Sequence, residues 1–131
     1  MKWTEEYATV VERIDEQHKM LFRMTEDFRA ALNEGQGEGV YGGLLESLDL
    51  YIRTHFRFEE ACMDRYQCPA ARMNRDAHAT FVEVLSGFKQ RYAASGFDRG
   101  DGRELVDTLD QWLADHIGRV DVQLRQSVQE S

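Results

Sequence analysis

Four long stretches of helical periodicity, each closed off by glycine or proline, limit what this chain can become more than any other feature. Gly35, Gly37, Gly39, Gly42 and Gly43 cluster in one place and Gly96, Gly100 and Gly102 in another, and Pro69 is the only proline. Such residues punctuate regular structure. The segments between them lie near 16–34, 40–66, 69–94 and 102–128. Within each, apolar residues recur at steps of three and four and do not alternate. Ile14, Leu21 and Phe28 share one face; Leu45, Leu48 and Ile52 the next; then Phe81, Leu85 and Phe88; then Leu105, Leu109, Trp112 and Val120. At ~1.5 Å per residue these segments make rods of roughly 30–40 Å, and short connections favour antiparallel neighbours. The expected fold is therefore all-α, an antiparallel up-down-up-down four-helix bundle. Residues 1–13, with Trp3, Tyr7, Val10 and Val11, read as an ordered N-terminal arm laid over it. Pro69 is expected in the first turn of the third helix. Asp101 and Glu104 have the spacing of an Asp capping box at the start of the fourth.

Composition narrows the function classes. The 131 residues fit one domain, 1–131, and 16 Lys+Arg against 24 Asp+Glu leave a formal net charge of −8. Affinity for nucleic acid grows with the phosphates that Lys and Arg neutralise, so an acidic chain argues against that partner. No window approaches the ~18 apolar residues of a membrane span. The first residues, Met1 to Glu6, lack the apolar core of a secretory signal. Cys62 and Cys68 read as reduced thiols in a cytoplasmic protein.

The polar residues inside the apolar stripes carry the chemistry. All four histidines lie on stripe faces, one per segment: His18, His55, His78 and His116. One such histidine is commonly a satisfied core residue; four, one from each wall, are costly to bury unless they share a partner. His55 and Glu59 stand one helical turn apart on the same face, whereas the neighbouring Glu60 points about 100° away and is expected in solvent. His116 and Asp121 are spaced more loosely, about 140° apart on an ideal helix, with Gly118 between them. Asp107, Asp110 and Asp115 read as a solvated face. Imidazole and carboxylate without thiolate suit iron or manganese better than structural zinc. Two ions bridged by Glu59 and Asp121 would use all six residues. A ferritin-like di-iron site would want carboxylates from all four helices and two Glu-x-x-His motifs; only Asp15-x-x-His18 approximates one.

These segments resemble the hemerythrin family, in particular its single-domain bacteriohemerythrins. Trp3, Tyr7 and the run Ile14 to Leu21 are similar to the family's first-helix signature. His55-Phe56-Arg57-Phe58-Glu59-Glu60 followed by Met63 resembles its HFxxEE segment. Pro69, His78 and Phe81 resemble its third helix, and Trp112-Leu113-Ala114-Asp115-His116-Ile117 followed by Asp121 its WLxxHI…D segment. The resemblance implies a hemerythrin-like domain with two Fe ions, carboxylate-bridged and oxo- or hydroxo-bridged when oxidised, that reversibly binds O2 as a peroxide. It implies that His18 and His55 ligate the O2-binding iron, that His78 and His116 ligate the other, and that Glu59 and Asp121 bridge. Phe22, Phe56, Phe81, Leu113 and Ile117 are core residues first, and by position the walls of an O2 pocket.

One ligand departs from the family. A fifth histidine belongs four residues before His78, where this chain has Asn74. Three outcomes are open: the amide oxygen ligates weakly, water fills the place with Asn74 holding it, or the second iron is lost. Water ranks first, since Asn is shorter than His. An exchangeable position there favours ready oxidation. The expected function is O2 carriage, storage or delivery to an oxygen-consuming protein, with O2 or peroxide as ligand. A di-iron oxidase or peroxidase using the position opened at Asn74 is the runner-up, so enzymatic activity stays undecided. Asn74→His is expected to lengthen the lifetime of the oxygenated state.

Overall fold

The computed structural model describes residues 2–131; Met1, part of the expected arm, lies outside them. The chain is all-helical. Helix α1 spans Glu12–Asn33, α2 Gly37–Arg65, α3 Ala71–Ser95 and α4 Arg99–His116. A π turn over Ile117–Asp121 leads into α5, Gln123–Gln129, so that α4, the turn and α5 form one fourth rod. α1 packs on α2 and α4, and α3 packs on α2 and α4, as in an up-down-up-down bundle.

Two apolar clusters fill the interior. The larger runs from Leu21, Phe28 and Tyr41 through Leu48, Ile52, Phe81 and Leu85 to Leu109 and Ile117. The smaller, at the other end, joins Ile14, Met63, Cys68, Ala70, Val120 and Leu124. On every rod the histidine falls between a residue of one cluster and a residue of the other: His18 between Ile14 and Leu21, His55 between Ile52 and Met63, His78 between Ala70 and Phe81, and His116 between Leu109 and Val120.

Several boundaries differ from the sequence expectation, each for a local reason. α2 begins at Gly37 and runs through Gly39, Gly42 and Gly43. A Cβ on Gly42 would lie 2.6 Å from Tyr92 Oη, and one on Gly37 2.6 Å from Leu32 Cδ2. Two of these glycines therefore permit close helix packing within α2 and do not end it. Pro69 lies ahead of α3, whose N-cap is Ala70. The cap of α4 is Asp98, accepting from Asp101 N at 3.0 Å, so the capping aspartate stands three residues earlier than expected. Asp110 is buried and paired with Arg29; it does not belong to a solvated face.

The arm is pinned at Tyr7, Ala8 and Thr9. Thr9 donates to Asp15 Oδ1 from both N and Oγ1, at 2.9 Å each. Arg125 Nε donates to Ala8 O at 2.9 Å. Tyr7, in a 3-10 turn over Glu5–Tyr7, stacks on Phe22 at 5.6 Å.

Candidate metal centre

The six residues singled out in the sequence, five by the stripes and Asp121 by the resemblance, meet in the gap between the two apolar clusters. His18 comes from α1, His55 and Glu59 from one face of α2, His78 from α3, His116 from the end of α4 and Asp121 from the π turn. None is more than 5% exposed. Glu59 Oε2 lies 3.0 Å from His18 Nε2 and 3.4 Å from His55 Nε2, while its Oε1 lies 3.2 Å from His78 Nε2. Asp121 divides its oxygens in the same way, Oδ2 at 3.1 Å from His18 Nε2 and Oδ1 at 3.0 Å from His116 Nε2. Two donor groups result, His18–His55–Glu59–Asp121 and Glu59–His78–His116–Asp121, each with its atoms within 4.8 Å of one another. The two groups share both carboxylates.

The loose spacing of His116 and Asp121 is resolved by the backbone. Val122 N donates to Ile117 O at 3.1 Å, a bond that closes a five-residue turn. Widening the turn by one residue returns Asp121 to the face of His116, as a π-bulge does.

The profile of the Hemerythrin HHE cation binding domain matches residues 9–124. The chain belongs to the hemerythrin family. Bacteriohemerythrin of Pseudomonas aeruginosa is 31% identical to it over 115 residues, covering 88% of this chain and 72% of that protein. Bacteriohemerythrin of Methylococcus capsulatus is 28% identical, covering 92% and 91%, and Myohemerythrin-1 of Phascolopsis gouldii is 28% identical, covering 91% and 87%. The family's cofactor is a non-haem di-iron centre, and the donors gathered here fit one. Unprotonated imidazole nitrogens and carboxylate oxygens crowded into one dry space repel each other, and cations among them remove that cost. The set holds no thiolate, and imidazole with carboxylate suits iron.

A histidine that binds metal commonly has its second ring nitrogen held by another group, and two of the four here have such a partner that the sequence reading missed. His55 Nδ1 donates to Gln17 Oε1 at 2.7 Å, and His78 Nδ1 donates to Glu60 Oε2 at 2.9 Å. Glu60 is therefore not simply a solvated neighbour of Glu59. Its place about 100° round the helix from Glu59 is what lets it reach α3 across the helix interface. Such outer partners fix tautomer and orientation. Neither residue carries a local spacing signal, since each acts on a histidine of another helix. Ring stacking adds to the orientation: Phe56 lies on His78 at 3.7 Å and 2°, and Trp112 on His116 at 4.4 Å and 13°. The five apolar residues read as pocket walls, Phe22, Phe56, Phe81, Leu113 and Ile117, are all buried. Asn74 also enters the cluster, with Oδ1 2.8 Å from His116 Nε2.

Charge in the metal-free cluster follows from these contacts. Burial opposes protonation of His18, but its hydrogen bonds to Asp121 and Glu59 outweigh burial and raise its pKa to about 9. Burial holds the pKa of His55 below its usual value. Burial would raise that of Glu59, yet the three histidines around it bring its carboxyl well below the ordinary range. A cation entering the cluster displaces the His18 proton.

Proposed function

We propose that this chain binds O2 reversibly at a centre of two irons and serves as an oxygen carrier, store or delivery protein in the cytoplasm. The observation that carries the reading is the division of Glu59 and Asp121, each giving one oxygen to each histidine pair. In this reading His18 and His55 would hold one iron and His78 and His116 the other, with Glu59 and Asp121 available to both. The irons supply the electrons that a bound O2 takes up and returns. The protein's part is to keep the place dry and fixed. Phe22, Phe56, Phe81, Leu113 and Ile117 exclude water and proton donors from it. Gln17 holds the imidazole of His55, and Glu60 that of His78, in one tautomer. Two carboxylates leave two dications incompletely neutralised, so the centre favours a small ligand that takes up negative charge. Peroxide is a second ligand of that kind, and a protein that consumes O2 is the partner such a role calls for. No helix among the described residues is long and apolar enough to cross a membrane.

Anaerobic loading with iron(II), followed by O2 uptake at an electrode, tests the reading. The expected result is one O2 taken up for every two irons and returned under vacuum. Irreversible uptake, with both irons oxidised on first exposure and O2 reduced by two electrons to hydrogen peroxide that is released, would replace the carrier reading by that of an oxidase.

A further inference from the structure

We propose that Asn74 Oδ1 is itself a ligand, the fifth protein donor of the ion held by His78 and His116. The proposal rests on the two-ion reading above and assigns a role to a position where this chain departs from its family. Asn74 has 0% exposure, and its amide is aimed into the cluster. The inward amide position lies 2.8 Å from His116 Nε2, 2.9 Å from His78 Nε2, 3.0 Å from Glu59 Oε1 and 3.1 Å from Asp121 Oδ1. Three neighbouring pairs among those four atoms are spaced alike: His78 Nε2 to His116 Nε2 is 3.2 Å, His116 Nε2 to Asp121 Oδ1 3.0 Å, and Glu59 Oε1 to His78 Nε2 3.2 Å. An octahedral ion with bonds of about 2.1 Å keeps adjacent donors about 3.0 Å apart. The inward amide atom, at that distance from all four, stands where a donor adjacent to four others stands on such an ion. A tetrahedral ion offers no such corner, because each of its donors has only three neighbours. The shorter side chain therefore reaches the cluster at ligand spacing, and a water is not needed to span a gap.

The two ends of the amide suit two states of the site. With NH2 turned inward, Asn74 offers two protons to the four acceptors, an arrangement for the metal-free protein. With oxygen turned inward it faces only atoms bearing lone pairs, which is favourable when a cation lies among them. The two orientations have nearly the same outline, so the amide turns over as the ion arrives. A neutral amide oxygen is a weaker donor than imidazole, so the ion is held less tightly than a third histidine would hold it.

Anaerobic iron(II) titration of the wild type, Asn74→Leu and Asn74→Asp tests the proposal. Leu matches Asn in size without a donor, and Asp restores the oxygen. Two ions should bind the wild type, with one of them weakened at least tenfold in Asn74→Leu and recovered in Asn74→Asp. A second reading needs no variant. On loading with zinc(II) as a diamagnetic stand-in, the side-chain carbonyl resonance of Asn74 should move while that of Asn33, the only other asparagine, stays. Two ions bound at unchanged affinity by Asn74→Leu, or an unmoved Asn74 resonance in protein carrying two ions, overturns the ligand role alone. A wild type that takes up only one ion overturns both the proposal and the two-ion reading beneath it.

Discussion

At the scale of single residues, the centre depends on side chains that never face it. Gln17 and Glu60 each take the outer proton of a histidine from a different helix, and loss of such a partner commonly costs ten to a hundredfold in metal affinity. Glu60→Leu should therefore weaken the ion on the His78 side by roughly that factor and leave the other nearly unchanged, and Gln17→Leu should do the reverse. Metal titrations of the two variants check this, and equal weakening of both ions in either variant would contradict it. Four histidines and Glu59 were legible because such a residue inside an apolar stripe is out of place on its own helix, whereas Asp121, about 140° from His116 on a regular helix, was marked only by the resemblance. Gln17 and Glu60 were not legible, because each lies off the stripe of its helix and its partner is far off in sequence.

Among the elements, the fourth rod shows how backbone geometry completes a motif. His116 and Asp121 share a face only because Ile117–Asp121 forms a π turn. Deleting the exposed Arg119 would leave Asp four residues after His116 on a regular α-helix, again on the same face. The deletion should keep the metal content at two ions, whereas inserting an alanine at that point should turn the carboxylate away and lose one. Iron analysis of both proteins decides it. The opening of α2 makes a second test. A Cβ on Gly43 meets nothing within 4 Å, but on Gly42 it meets Tyr92. Gly43→Ala should raise stability by about 0.5–1 kcal/mol, and Gly42→Ala should gain less or lose, as read by thermal unfolding of the metal-free protein. Helical spacing made the four rods legible. Their ends were less so, because a glycine run reads alike whether it ends a helix or lets one pack closely.

Taken as a whole molecule, the protein is a bundle whose two apolar clusters are separated by a polar layer. Without cations that layer sets buried carboxylates against crowded imidazoles, and with them it ties all four rods together. Free metal at a hundred times Kd adds about 2.7 kcal/mol per ion to stability. Removing the metal with a chelator should therefore lower Tm by on the order of 10 °C or more, and an unchanged Tm would mean that the rods hold without the centre. The most direct test of the central claim is optical: anaerobically reduced, two-iron protein is exposed to O2, followed in the visible range and then placed under vacuum. The account predicts an oxygen-dependent charge-transfer band that reverses under vacuum over repeated cycles and decays to the oxidised spectrum sooner than in Asn74→His. Direct conversion to the oxidised spectrum, with no reversible band at any time, would contradict it.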